Sequence, residues 1–127
     1  MFTRLHHVAV ISSDYEKSKR FYVDILGFEI VREVFREDRQ SYKLDLKVAG
    51  RYLIELFSFP NPPARVTSPE ACGLRHIAFE VEDVRAACDR LESRGVAVEP
   101  IRIDEFTGRL FTFFRDPDQL PIEIYER

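Results

Sequence analysis

Two short stretches of the sequence carry a histidine in the same setting, and histidine both binds metals and exchanges protons near neutral pH. The stretch LHHVAVISSD (5–14) aligns without gaps with LRHIAFEVED (74–83). The alignment places His7 opposite His76, and an alanine follows each of them two residues later. A single histidine in a strand is usually a hydrogen-bonded structural residue, whereas a repeated one favours a common function.

A glutamate repeats in step with the histidine. The segment LIELF (53–57) matches PIEIY (121–125), which pairs Glu55 with Glu123. Glu55 lies 48 residues after the histidine of the first copy, and Glu123 lies 47 residues after that of the second. Each glutamate stands between apolar neighbours in a strand-like segment, so it emerges from the middle of a sheet. An unpaired carboxylate there is costly, and it therefore needs a cation or a raised pKa.

Two imidazoles and two carboxylates form a good donor set for a divalent metal that keeps positions open for water or substrate. The sequence therefore predicts one metal ion held by His7, Glu55, His76 and Glu123. The alternative is that both glutamates reach solvent at strand edges and both histidines bind backbone groups. Any one of the four residues alone favours that alternative, but their joint repetition favours the metal.

The adjacent histidine, His6, does not recur, because its counterpart in the second copy is Arg75. Side chains alternate between the two faces of a strand. Alternation places His7 beside the small side chain of Ala9, and it places His6 on the opposite face with Val8. We therefore predict that His7 is the chemical residue and that His6 has a structural role.

Each copy of the repeat has the pattern of a strand, a helix and three further strands. Asp14 and Asp83 precede helical patterns that end at Gly27 and Gly95, as expected of N-capping residues and C-terminal glycines. Short β-rich runs follow each glycine. In order, they are FEIVREVF, SYKLDLKV and YLIELFSF, then VAVEPIRI, RLFTFFRD and PIEIYE.

The chain, at 127 residues with 45% hydrophobic residues, has the size of one domain with a substantial core. It divides into modules of approximately 4–58 and 74–127, joined by a linker at 59–73 that carries most of the prolines. At this length we expect residues 1–127 to form a single domain, or two very small halves that share one core.

With these residues, the chain resembles the vicinal oxygen chelate superfamily, which includes glyoxalase I, methylmalonyl-CoA epimerase, extradiol dioxygenases, fosfomycin-resistance transferases and bleomycin-resistance proteins. The resemblance covers essentially the whole chain. It is strongest to bacterial glyoxalase I, whose metal is held by His, Glu, His and Glu, here those of LHHVAVISSD, LIELF, GLRHIAFEVED and DPDQLPIEIYE. It implies an α+β fold in which two tandem βαβββ modules form a curved mixed sheet around a metal-binding cleft.

The resemblance also implies an activity: a divalent-metal-dependent lyase or isomerase of the glyoxalase I-like type. Its substrate is a small α-oxo or α-hydroxy carbonyl compound that reacts through a metal-stabilised enediolate. Glu123 is then the base, and Glu55 is the partner that acts on the other face of the substrate. Nickel, cobalt, zinc, manganese and iron all suit such a site, so the sequence leaves the metal open.

Two other function classes remain on the same fold. One is a non-catalytic small-molecule binding or resistance protein, and the other is a ring-cleaving dioxygenase. The dioxygenases and fosfomycin enzymes use two histidines and one carboxylate, so Glu55 argues against both. Bacterial glyoxalase I has an arginine and an asparagine that help to hold glutathione, but Ile11 and Phe59 stand at those positions here. We therefore expect the glutathione adduct of methylglyoxal to be a poor substrate.

Several basic and aromatic residues have two possible roles. The basic ones either hold an anionic group of the substrate or are solvated surface charges: they are Arg36, Arg39, Lys43 and Arg109. Four phenylalanines are expected in the core rather than in a pocket wall: Phe57, Phe59, Phe111 and Phe113.

Composition narrows the partners. The formal net charge of −3, with no dense basic cluster, argues against nucleic-acid binding. No apolar run approaches the ~18 residues of a membrane span, and the N-terminus carries no secretory signal. Two cysteines are too few for a disulfide framework, and Cys88 lies on an apolar helical stripe. We expect a cytoplasmic protein with a small-molecule substrate and with neither nucleic acid nor membrane as a partner.

Because each module carries one predicted histidine ligand and one glutamate ligand, two modules must meet to complete a site. They meet either within one chain or between two chains. The resemblance to glyoxalase I implies a symmetric homodimer with two such sites. His7 and Glu55 then come from one chain, and His76 and Glu123 come from the other.

Overall fold

Each half of the chain folds in the order that its sequence predicts. The structure, a computed structural model, describes all 127 residues and divides them into two units, Met1–Ala64 and Arg65–Arg127. The first unit contains β1 (Val8–Ser12), α1 (Tyr15–Arg20), a π-helical turn (Phe21–Ile25), β2 (Glu29–Arg36), a 3-10 turn (Glu37–Arg39), β3 (Ser41–Val48) and β4 (Arg51–Ser58). The second contains β5 (Ile77–Val81), α2 (Val84–Ser93), β6 (Arg102–Ile103), β7 (Leu110–Arg115) and β8 (Pro121–Glu126).

Each unit has its own mixed sheet of four strands, so the expected mixed sheet consists of two sheets. The strand order is β1-β4-β3-β2 in the first unit and β5-β8-β7-β6 in the second. The first strand of each unit runs parallel to the last, and the other pairs are antiparallel. The predicted α+β class with two βαβββ modules is confirmed. In both sheets the last strand is an interior strand, flanked by the first strand and the third.

Aspartates begin both helices, as predicted. The side chain of Asp14 accepts a hydrogen bond from the backbone N–H of Lys17 at 3.2 Å, and Asp83 accepts one from Ala86 at 3.0 Å. These bonds satisfy N–H groups that the first turn of a helix leaves without partners. The first helical segment differs from expectation because it continues after Arg20 as a π-helical turn, whose wider winding accompanies the burial of two adjacent aromatic side chains.

Strand alternation separates an apolar face from a polar face in both sheets. The interior strands β4 and β8 place fully buried Ile54, Leu56 and Ile122 on the core face. Val84 and Cys88 of α2 are buried, and this burial raises the pKa of the Cys88 thiol. The glutamates between those strand residues therefore lie on the opposite face of each sheet.

The strand predicted at 96–103 is much shorter in the structure. Only Arg102–Ile103 pairs with β7 as a strand. Pro100 has no N–H to donate to a ladder. The hydroxyl of Thr112 instead donates to the carbonyl oxygens of Glu99 at 2.8 Å and Pro100 at 3.1 Å. A side chain thus satisfies carbonyls that a longer strand would have paired.

None of the helices has the length and the apolar composition that crossing a membrane requires.

Candidate metal centre

The first predicted pair forms within the first unit. His7 lies directly before β1, and Glu55 lies in the middle of β4. These strands are parallel, and Ala9 lies opposite Glu55. His7 comes two residues before Ala9, so His7, Ala9 and Glu55 lie on the same face of the sheet. The small alanine leaves room above the sheet, and His7 Nε2 lies 3.3 Å from Glu55 Oε2.

The second unit repeats this arrangement. His76 lies directly before β5, and Ala78 lies opposite Glu123 of β8. His76 Nε2 lies 3.0 Å from Glu123 Oε2. The same atoms of the same residue types therefore meet at equivalent strand positions in both units.

The two pairs suit a metal in their donor atoms and in their burial. The carboxylates are 11% and 14% exposed and the imidazoles 37% and 26%, so each pair is anchored in its sheet yet reachable from solvent. Imidazole nitrogen and carboxylate oxygen are ligands that divalent transition metals accept. The structure brings the four residues together as two pairs and holds no group of three or more His, Cys, Asp or Glu side chains placed to bind a metal. Each pair therefore fits half of a four-ligand site.

A tyrosine and a lysine hold Glu55 through both of its oxygens. The hydroxyl of Tyr52 donates to Glu55 Oε2, the same oxygen that faces His7. Lys43 Nζ lies 3.8 Å from Glu55 Oε1. Burial and the hydrogen bond to Glu55 raise the pKa of Tyr52, so its hydroxyl remains a donor. The orientation of Glu55 is thus fixed by groups on its own sheet.

Asp45 lies directly opposite Glu55 in the pairing of β3 with β4, and it is 1% exposed. Lys43 Nζ contacts its Oδ1 at 2.6 Å, and Arg32 donates to its Oδ2 at 2.9 Å. Burial raises the pKa of Asp45, but the hydrogen bonds from Lys43 and Arg32 outweigh it and keep that pKa below its usual value. Two cations therefore stabilise a second buried carboxylate beside the first pair.

The second pair has an aromatic ring and two arginines as its neighbours. Phe113 takes the position opposite Glu123, and its ring meets the ring of His76 edge-on at 5.1 Å between centroids. The guanidinium of Arg102 lies over the Phe113 ring at 5.4 Å. Arg75 adds a contact of 3.2 Å between its Nη1 and His76 Nδ1. The two half-sites thus share their donor atoms but differ in their surroundings.

Sequence reasoning missed Asp45 and Tyr52. The signal for Asp45 was present, because LDL in β3 places an acid between two buried leucines just as IEL does around Glu55 in β4. Tyr52 had no such signal, since it lies three residues before Glu55 and strict alternation puts the two on opposite faces. The pairing of β3 with β4 skips Leu53, and this bulge brings Tyr52 to the glutamate's face.

His6 lies closer to the site than the sequence predicted. Its Nδ1 is 2.8 Å from Nδ1 of His7, and its ring centroid is 5.4 Å from that of Tyr52. The interpretation that His6 lies apart from His7, on the other face of the strand, is therefore wrong. His7 adjoins β1 and keeps its alternation, whereas His6 lies one residue further from the strand, where alternation no longer sets the direction of the side chain.

The basic residues considered as substrate-binding groups or as surface charges lie in different surroundings in the structure. Lys43 lies at the first pair, whereas Arg39 and Arg109 are exposed. Arg36 lies over the rings of Phe57 at 4.9 Å and Phe59 at 5.8 Å. The expected core positions of four phenylalanines are wrong, because all four are partly exposed: Phe57, Phe59, Phe111 and Phe113. Their rings instead support guanidinium groups or a histidine.

Tyr52→Phe is expected to weaken divalent-metal binding about tenfold, because outer partners that orient a ligand contribute on that order. Competition with a chromogenic chelator measures the affinity. Tyr125→Phe is the matched control, since Tyr125 lies in the equivalent interior strand and donates to Asp104 rather than to a predicted ligand. Equal affinity in both variants would contradict a positioning role for Tyr52.

Known proteins are similar to this chain in both sequence and fold. The family model described as Glyoxalase/Bleomycin resistance protein/Dioxygenase superfamily matches residues 4–124. YwkD of Bacillus subtilis, an uncharacterized protein, is 59% identical over 97% of this chain and 96% of its own length. YaeR of Escherichia coli, also uncharacterized, is 57% identical over 98% and 96%. The crystal structure of a glyoxalase family protein from Enterococcus faecalis is 47% identical over 98% of both chains, with a TM-score of 0.92.

More distant relatives have functional names. A probable lactoylglutathione lyase of Synechocystis is 30% identical over 96% of this chain and 94% of its own length. A manganese-dependent 2,3-dihydroxybiphenyl 1,2-dioxygenase of Geobacillus is 33% identical over 94% of this chain, which spans 35% of that protein. Enzymes and a metal-dependent reaction therefore occur among the relatives. The match over nearly the whole chain, on the two βαβββ modules described above, makes this protein a member of the glyoxalase/bleomycin resistance/dioxygenase superfamily, the vicinal oxygen chelate fold.

Proposed function

We propose that this protein is a divalent-metal-dependent lyase or isomerase that acts on a small α-oxo or α-hydroxy carbonyl compound. The observation that carries the proposal is the repeated contact between histidine Nε2 and glutamate Oε2, at 3.3 Å in one unit and 3.0 Å in the other. The presence of a second carboxylate supports a lyase or isomerase. By the resemblance, the dioxygenases and fosfomycin enzymes hold their metal with only one carboxylate.

We further propose that two copies of the chain complete the site. Each unit supplies one imidazole and one carboxylate, which is half of a four-ligand set. In the proposed homodimer, His7 and Glu55 of one chain act with His76 and Glu123 of the partner subunit. Two equivalent sites then arise from the symmetry of the dimer.

The surroundings of the two glutamates support different roles for them. A divalent ion, when bound, supplies positive charge to substrate oxygens as negative charge develops on them. Glu55 is held by Tyr52 and Lys43 at both oxygens, which suits a fixed ligand. Glu123 lies opposite Phe113 in the pairing of β7 with β8, and its Oε2 faces His76. We assign it as the base that takes a proton from the hydroxyl-bearing carbon beside the carbonyl. The same group returns that proton to the neighbouring carbonyl carbon, while the hydroxyl proton passes to the other oxygen. The hydroxyl and carbonyl groups exchange places, so no oxidant or reductant is consumed.

Glu123→Gln is expected to lower the rate of hydrogen exchange at the substrate carbon by at least about 100-fold, because the amide keeps an oxygen but is not a base. The measurement follows deuterium entering a panel of α-hydroxy ketones and aldehydes in D2O, with the protein saturated by its native metal, which elemental analysis identifies. Saturation separates the loss of the base from weaker metal binding.

Glu80→Gln is the control for this experiment, because Glu80 is an exposed residue of β5 whose carboxylate pairs with Arg127. It is expected to exchange hydrogen at the rate of the unsubstituted protein. Exchange that survives in Glu123→Gln contradicts the assigned base. A metal-loaded protein that exchanges hydrogen in no compound of the panel favours a non-catalytic binding protein, and O2 uptake with a catechol favours a dioxygenase.

The hemithioacetal of methylglyoxal and glutathione is expected to be a poor substrate. Ile11 and Phe59 stand where the resemblance places two glutathione contacts, and neither side chain can hydrogen-bond a peptide. Phe59 also packs parallel to Phe57, with 6.0 Å between ring centroids. Steady-state kinetics with the native metal test this, and a kcat/KM above roughly 10⁷ M⁻¹s⁻¹ contradicts it.

A further inference from the structure

A cleft of about 170 Å³ opens beside the second His–Glu pair, within the unit Arg65–Arg127. His76 and Phe113 form part of its wall. Four arginines also line it: Arg65, Arg75, Arg102 and Arg115. Pockets for drug-sized ligands measure roughly 300–1,000 Å³, so this cleft suits a smaller molecule.

Positive charge exceeds negative charge in the cleft, because only two carboxylates, Glu70 and Glu99, face its four guanidinium groups. Glu99 is shared, since Arg102 Nη2 contacts its Oε1 at 3.1 Å and Arg115 Nη2 lies 3.8 Å from its Oε2. One carboxylate therefore serves two cations. That pair of arginines carries a net positive charge that a second anion can offset.

The other two arginines are engaged differently. Arg75 Nε contacts Glu70 Oε1 at 2.7 Å, which gives it a carboxylate of its own. Arg65 donates to the backbone carbonyls of Leu74 at 2.7 Å and of Arg75 at 2.9 Å. Arg65 thus braces the segment that leads to His76. Arg65 has no carboxylate partner, so it carries one of the two unbalanced positive charges of the cleft, and the Arg102–Arg115 pair carries the other. Because Arg65 already donates to two carbonyls, Arg102 and Arg115 are better placed to bind an added anion.

Contact with two aromatic rings orients Arg102. The carbon of its guanidinium lies 5.1 Å from the ring centroid of Phe111 and 5.4 Å from that of Phe113. Because these rings stand at 89° to each other, they confine the guanidinium from two directions. Its planar set of N–H donors matches the two oxygens of a carboxylate or phosphate. Phe113 also contacts His76 edge-on. A single aromatic ring therefore separates the oriented guanidinium from the predicted metal ligand.

We propose that this cleft binds an oxyanion of the substrate, a carboxylate or a phosphate, through Arg102 and Arg115. The inference rests on the proposed function for the reacting end of the molecule, which lies toward His76 and Glu123. It narrows the substrate to a small α-oxo or α-hydroxy compound that carries an anionic group. Arg102 and Arg115 are binding residues that set this specificity, and the volume of the cleft suits a small anionic compound.

Binding of lactate to the metal-free protein tests the proposal without the metal or the reaction. Lactamide is the probe of matched shape that lacks the charge. NMR titration is expected to show lactate binding at least about tenfold more tightly than lactamide, with shifts at His76 and Phe113. Inorganic phosphate, titrated separately and in competition with lactate, distinguishes the two sources of the oxyanion.

Arg102→Gln and Arg115→Gln are each expected to weaken anion binding about tenfold, which is the loss of one charge-assisted hydrogen bond. Arg102→Lys keeps the charge without the fork and is expected to lose less. Arg109→Gln is the control, because Arg109 is exposed and lies outside the cleft lining; it is expected to bind as tightly as the unsubstituted protein. The amide spectrum of each variant shows whether it is folded.

Equal binding of lactate and lactamide overturns the proposal, as does unchanged anion binding in both glutamine variants or binding of neither anion. Phosphate that binds with the same dependence on Arg102 and Arg115, and displaces lactate, supports the proposal and assigns a phosphate. If the anion test fails while Glu123→Gln still loses hydrogen exchange, the cleft is wrong and the proposed function stands. If the anion binds as expected but Glu123→Gln keeps its hydrogen exchange, the cleft stands and the assigned base is wrong.

Discussion

His7→Ala and His76→Ala are each expected to lose metal affinity by at least about 100-fold, so that neither variant retains metal through gel filtration. Each substitution removes one donor of the proposed four and leaves its glutamate partner without the imidazole it contacts. Outer partners of metal ligands alone contribute 10–100-fold, so loss of a ligand is expected to cost at least as much. Elemental analysis per protein chain, followed by chelator competition, measures the effect.

His6→Ala is the internal control for this experiment. It removes an imidazole adjacent in sequence but leaves both proposed ligand atoms of the first pair in place. The contact between His6 and His7 joins their Nδ1 atoms, whereas the atom that faces Glu55 is His7 Nε2. We expect His6→Ala to retain its metal through gel filtration, with an affinity loss of no more than about tenfold, as for an outer partner of a ligand. Equal metal content in all three alanine variants would remove the ligand assignment.

Mixing His7→Ala with His76→Ala under conditions of subunit exchange is expected to restore metal binding that neither variant has alone. In a heterodimer with shared sites, one site loses both histidines and the other regains all four ligands. Complete random exchange makes half of the dimers heterodimers, so about a quarter of all sites recover. Metal binding before and after mixing gives this fraction directly.

Two controls make the complementation decisive. Mass spectrometry with one variant isotopically labelled shows whether heterodimers have formed. Mixing Glu55→Ala with His7→Ala provides the negative control, because both substitutions lie in the first unit and every heterodimer then has a defect in each shared site. Exchange without any recovery of metal binding would mean that each chain builds its own site.

The sequence by itself determined the modules and the two His–Glu pairs. The reason is that this information is local or repeated. Asp14 and Asp83 cap their helices through hydrogen bonds three residues away, and the apolar neighbours of Glu55 and Glu123 define the face by simple alternation. The repeat then supplied the long-range contacts. It linked each histidine to a glutamate nearly fifty residues away, and this did not require knowing which strands pair.

The surroundings of the two pairs were decided only by the tertiary structure. Tyr52 reaches Glu55 because the strand pairing skips Leu53, and a bulge of one residue reverses the faces that alternation predicts. The run of β-forming residues at 96–103 likewise predicted a strand, but only Arg102–Ile103, after Pro100, forms one.

The arginine cleft depended on tertiary structure for a related reason. Arg102 and Arg115 are distant from His76 in the sequence, and in the sequence both resemble ordinary surface charges. Pairing of β6 with β7 places Arg102 opposite Phe111, and β7 beside β8 places Phe113 opposite Glu123. Which guanidinium covers which ring is set by strand register, a non-local property that residue type and spacing alone do not contain.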